Sequence, residues 1–87
     1  MLKLSVLDQS VVSYGQPQDA AIRHTLNLAQ CCEVWGYDRF WVSEHHNLPS
    51  IAGTAPEVLL AAIAARTTRI RLGSAGVMLP HYAPFKV

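Results

Sequence analysis

Glu44, His45 and His46 follow one another in Phe40-Trp-Val-Ser-Glu-His-His-Asn-Leu-Pro-Ser50, directly behind an apolar run. Ionisable side chains at the end of a buried segment lose hydration, so something must use them. An imidazole titrates near neutrality, and a carboxylate beside it suits the pair to moving a proton. Metal ligation is a second use, with His81 joining the pair. Against it, neighbouring side chains on extended backbone point to opposite faces, so His45 and His46 do not easily reach one ion. A third use is structural, with Glu44 tying down a loop and one histidine packing. Gly73-Ser-Ala-Gly76 raises a similar choice. Small residues there admit a closely packed helix or a flat ligand lying on the backbone. A phosphate loop is a poor match, because neither Gly-x-Gly-x-x-Gly nor a Walker pattern is present.

Periodicity shows which elements must position these groups. Leu2 to Leu7 mixes alternation with apolar residues and predicts a strand. Asp8 to Pro17 then reads as a loop. From Gln18 to Trp35 a helix is predicted, its stripe formed by Ala21, Ile22, Thr25, Leu28, Ala29, Cys32 and Trp35. His24 falls on its polar face and is expected to be solvated. Gly36 sits where a helix C′ residue adopts the left-handed conformation. Arg39 to Ser43 predicts a second strand, and Thr54-Ala-Pro-Glu57 matches a capping box with Pro56 in the first turn. The helix it opens runs to about Arg66 and is apolar nearly all round. Such a helix is expected to be covered on two sides, by the sheet and by another layer or subunit. Ile70 to Leu79 predicts a third strand ending at Pro80, with His81-Tyr-Ala-Pro84 as a loop or turn beyond it.

The order β-α-β-α-β at this spacing specifies parallel strands joined by right-handed crossovers. In parallel α/β folds, sites form at the carboxyl ends of strands. Asp8-Gln-Ser10, Glu44-His45-His46 and the stretch Gly73 to His81 all fall at such ends, and so on one rim.

Composition narrows the partners. The net charge is +1, and the seven Lys and Arg are scattered from Lys3 to Lys86, so no nucleic-acid partner is expected. The first ten residues lack the apolar core of a signal peptide. The longest apolar run, Val58 to Ala65, is far short of the roughly 20 residues that span a bilayer, so no membrane partner is expected. Cys31 and Cys32 are adjacent and point apart on a helix, which predicts two reduced thiols, a core-filling use and a cytoplasmic location. The chain is 51% apolar and 15% charged, and three parallel strands leave open edges and one uncovered face. The 87 residues are therefore expected to form the front part of a longer fold.

Phe40-Trp-Val-Ser-Glu-His-His46, the strand end Gly73 to Pro80 and His81-Tyr-Ala-Pro84 together resemble the bacterial luciferase-like family of flavin-dependent monooxygenases. Ser5-Val-Leu-Asp-Gln-Ser10 and the stretch Gly53 to Ser74 strengthen the resemblance, which covers essentially the whole chain. It implies a TIM-type (β/α)8 barrel, of which residues 1–87 form the N-terminal β-α-β-α-β portion. By position, His45 matches the family's catalytic histidine, which assists proton handling. Ser43, Glu44, Ala75 and Gly76 match residues beside the flavin, and the Ala75–Gly76 link matches a non-prolyl cis peptide. The resemblance further implies reduced FMN supplied by a flavin reductase, O2 and a small organic substrate as co-reactants, and a homodimer. With so short a segment, the chain alone is expected to be inactive. A deazaflavin (F420)-dependent reductase of the same superfamily is the nearest alternative. A non-catalytic, self-associating βαβαβ module and a metal-dependent hydrolase using His45 and His81 are the contrasting expectations.

Overall fold

The computed structural model describes residues 1–87, in the order β1 (Ser5–Asp8), α1 (Gln18–Val34), β2 (Arg39–Val42), α2 (Pro56–Arg66) and β3 (Arg71–Ser74). A single 3-10 turn, Leu79–His81, follows. The strands form one parallel sheet in the order β1-β2-β3. Val6, Phe40 and Leu72 stand in register on one face, and Leu7, Trp41 and Gly73 on the other.

The first of these faces makes the core. Phe40 and Val42 of β2 are fully buried with Ala29 and Cys32 of α1 and Ile63 of α2, and Leu26, Leu59 and Ile70 complete the cluster. β2 is the strand with a neighbour on each side, so its inward residues lose all contact with water. Both free thiols lie on α1, and Cys32 is core; burial pushes its thiol up, which keeps it protonated and inert. The second face is open: Leu7 is 53% exposed and Trp41 half-buried. Gly73 is what lets the Trp41 indole lie flat across β3, because a Cβ there would stand 2.5 Å from a ring carbon. On this face the small residue at position 73 thus accommodates a cross-strand tryptophan.

The end of α1 follows its sequence signal. Gly36 has φ +87°, the Tyr37 N–H donates to the Cys32 carbonyl at 3.1 Å, and the Gly36 N–H donates to the Glu33 carbonyl at 3.2 Å. These two bonds make a Schellman motif. The chain turns away there, so Trp35 leaves the expected stripe and is exposed, while Leu26 is buried instead. α1 packs on both the sheet and α2, which requires a wider buried arc than a single stripe.

Two other expectations are corrected. The capping box does not form: Ala55 takes the N-cap position with no side-chain bond, Pro56 follows it, and the Glu57 carboxylate pairs with Lys86 at 2.9 Å. The third strand stops at Ser74, which stands opposite Val42, the last residue of β2. Within these residues α2 is covered on its sheet side, and its other side is free for the further layer or subunit expected there. Pro56, Leu59 and Ile63 are buried, whereas Val58 and the alanines at 61, 64 and 65 are exposed.

Candidate active site

The carboxyl ends of the strands build the rim. After β1, Ser10 takes φ +55°, and its hydroxyl meets that of Thr25 at 2.7 Å, while the Asp8 carboxylate accepts from Thr25 and from the Ser10 N–H. The loops after β1 and β2 are zipped together. The Val12 N–H donates to the Ser50 carbonyl at 2.8 Å, the Ala52 N–H to the Ser10 carbonyl at 2.9 Å, and Val11 bridges Ile51. Gly53 permits this closeness, since a Cβ there would lie 3.3 Å from the Ser43 carbonyl oxygen.

β2 ends in Ser43-Glu44-His45-His46, and side-chain alternation sorts these residues. Glu44 and His46 fall on one side. Glu44 is buried, its Oε2 lies 2.6 Å from His46 Nε2, and its Oε1 accepts from the Tyr82 hydroxyl at 2.7 Å and the Met78 N–H at 3.1 Å. Burial pushes the Glu44 carboxyl up, but the bonds from His46, Tyr82 and Met78 outweigh it and hold it at about 2. An ionised carboxylate only accepts, so His46 Nε2 carries the hydrogen of that contact. Donation to Glu44, with burial, pushes the Tyr82 phenol up to about 12. The His46 ring rests on that of His81, their centroids 4.1 Å apart. Lys86 sits 4.7 Å over the Tyr82 ring while bonding Glu57.

His45 falls on the other side of the strand end. Its Nδ1 is 3.2 Å from the Ser43 hydroxyl, and its N–H donates to the Gly53 carbonyl at 2.9 Å. The carboxylate predicted to serve the catalytic histidine therefore engages His46, not His45. His46, Tyr82 and the Met78 N–H were not singled out from sequence as one site. Only the i, i+2 relation of Glu44 and His46 signalled part of it. No three His, Cys, Asp or Glu side chains converge as metal ligands. His81 meets His46 rather than His45, which corrects the geometry of the metal-hydrolase expectation.

Ala75 continues β3 on the same rim, its N–H donating to the Val42 carbonyl at 2.7 Å. A hollow of about 340 Å3 lies here on the open face, lined by Leu7, Trp41, Ser74 and Ala75. The Ala75–Gly76 peptide is trans, as are all the others, contrary to the cis link expected. A non-prolyl cis bond costs about 3–4 kcal/mol and persists only where packing enforces it. No atom lies within 4 Å of where a Gly76 Cβ would be, and the Gly76 carbonyl accepts from the Ser74 hydroxyl.

Residues 2–87 match the model of the luciferase-like monooxygenase family, and the chain belongs to that family. An N-acetyl-S-alkylcysteine monooxygenase of Bacillus subtilis is 55% identical over 87 residues, all of this chain and 26% of that protein. A luciferase-like monooxygenase of Escherichia coli K12 is 42% identical over 86 residues, 99% of this chain and 26% of that protein. The chain thus spans about a quarter of the length of the curated relatives it matches. Among solved structures, apo-MsnO8 superposes with TM-score 0.92 at 45% identity, covering 99% of this chain and 26% of that one. The oxygenating constituent of 3,6-diketocamphane monooxygenase from Pseudomonas putida, a type II Baeyer-Villiger enzyme in complex with FMN, superposes with TM-score 0.88 at 24% identity, over 97% and 23% of the respective chains. The parallel β-α-β-α-β unit is the N-terminal portion of this fold.

Proposed function

We propose that this chain supplies the first three strands of a flavin-dependent monooxygenase, which uses reduced FMN and O2 to oxygenate a small organic substrate. The observation that carries this is the shared rim. A buried, ionised Glu44 holding His46, with His45 beside it, stands next to a strand end of small residues facing an apolar hollow.

The residues present fit one part of the cofactor. Leu7, Trp41 and Ala75 offer an apolar bed for a flat ring, and Gly76 leaves its approach clear. No cradle for the phosphate is visible. Lys86 is paired with Glu57 and Arg23 with Asp19, while Arg39 and Arg71 stand at strand starts, on the opposite rim. When bound, reduced FMN supplies the electrons that activate O2. The chain's own groups orient, exclude water and manage protons. Ala75 and Gly76 bear the ring, His45 moves a proton with its ring oriented by Ser43, and Glu44 keeps a fixed negative charge at the rim. A flavin reductase supplies the reduced cofactor, and the exposed side of α2 packs against a second subunit.

A chimera tests this, with residues 1–87 replacing the matching segment of the Bacillus subtilis N-acetyl-S-alkylcysteine monooxygenase. It is expected to consume O2 with reduced FMN and to oxygenate that enzyme's substrate. His45→Ala in the chimera should lower kcat about 100-fold or more while FMN affinity changes little. A folded chimera that binds FMN without turnover, or turnover indifferent to His45→Ala, would refute the assignment. Activity with a reduced deazaflavin instead of FMN would favour the reductase alternative.

A further inference from the structure

Tyr82 lies outside the strands, two residues before Pro84, yet its hydroxyl reaches the most buried carboxylate of the rim. A carboxylate out of water needs all its lone pairs served and its plane held. Glu44 has three donors, and they come from different parts of the chain. His46 lies on its own strand end, the Met78 N–H precedes the 3-10 turn, and the Tyr82 hydroxyl follows that turn. Met78 and Tyr82 both bind Oε1, which leaves Oε2 to His46 alone. The ring of Tyr82 is itself held, since Lys86 stacks on it at 4.7 Å and is anchored by Glu57 in the first turn of α2.

We propose that Tyr82 is a positioning residue: by occupying Glu44 Oε1 it aims Oε2 at His46 Nε2–H, so that His46 Nδ1 is left as the nitrogen that exchanges a proton. The hydroxyl thus acts on His46 through the carboxylate, without touching the imidazole. The titratable groups facing this cluster are Glu44 and His46 at the end of β2, His81 in the 3-10 turn, and Glu57 and Lys86 on the far side of the phenol ring. What the positioning does for turnover rests on the proposed function. The positioning itself is measured without flavin, so the two fail separately.

The test uses NMR on the full chain, following the Glu44 carboxyl carbon against pH and the exchange of the His46 Nε2–H with water. In Tyr82→Phe, Glu44 loses one donor, and its proton affinity should rise about tenfold. The His46 Nε2–H, no longer facing a fixed oxygen, should exchange about tenfold faster. A fluorinated tyrosine at position 82 keeps the shape and donates more strongly, so it should slow that exchange. A purely packing role for Tyr82 would lower the melting temperature and leave both readouts in place. That result, or a fluorinated variant that exchanges like the wild type, overturns the proposal.

Discussion

Glu44 is a carboxylate that gives up solvent and recovers the loss through three donors, and the pH dependence of folding should record this. Its folded-state value of about 2 lies below its ordinary 4.5. A lowered value means that the stabilisation is complete above pH 4.5 and is lost as pH falls toward about 2. For Tyr82 the sign reverses, because its value rises from 10 to about 12. Its contribution is complete below pH 10 and is lost as pH climbs to about 12. Glu44→Gln should therefore flatten the acid limb of a stability–pH profile measured by urea unfolding, and Tyr82→Phe the alkaline limb. A Glu44→Gln profile as steep as the wild type below pH 4.5 would mean that the carboxylate is not ionised in the folded chain.

Helix α2 shows how one element divides its work between two faces. Leu59 and Ile63 enter the core, Leu60 packs at its margin, and Val58 is 66% exposed. An aspartate at position 60 would desolvate a charge against the core and cost about 2–4 kcal/mol. Val58 is mostly exposed, so an aspartate there should change stability by no more than about 0.5 kcal/mol. If the exposed face of α2 is the subunit contact, Val58→Asp should yield monomers in sedimentation with melting unchanged. Leu60→Asp should lower the melting temperature instead. Association that persists in Val58→Asp would place the contact elsewhere. At the other end of α1, Glu33 accepts from the N–H groups of Thr68, Arg69 and Ile70 at 2.9, 2.6 and 2.9 Å. The three donated bonds hold its carboxyl below the usual range. Periodicity places Glu33 only on a polar face; its partners lie some 35 residues away in sequence, where no local pattern points.

As a whole, the molecule buries one face of its sheet and leaves the other, with Leu7 and Trp41, open to the surroundings. No helix is long and apolar enough to cross a membrane. The open face offers a flavin ring a surface but no paired cations for a phosphate, so the 87-residue chain by itself should hold FMN only weakly. Titration with FMN, followed by quenching of Trp41, is expected to show no saturation in the micromolar range. Saturable micromolar binding would show that the first three strands suffice.

Local chemistry in the sequence determined the order of elements, the parallel sheet, the reversal at Gly36 and the rim that carries Ser43, Glu44, His45 and Ala75. These depend on side-chain period and on single-residue conformational preferences, which neighbours in the chain impose. Tertiary structure alone decided that Glu44 serves His46, that Tyr82 and Met78 complete its shell, and that Gly73 lies under Trp41. It also decided that the Thr54–Glu57 capping box gives way to a Glu57–Lys86 pair. Each of these joins residues about 30 or more apart in sequence, or turns on which of two adjacent side chains faces inward. Such contacts are set by how the strands and helices pack, and apart from the i, i+2 spacing of Glu44 and His46 no local pattern signals them.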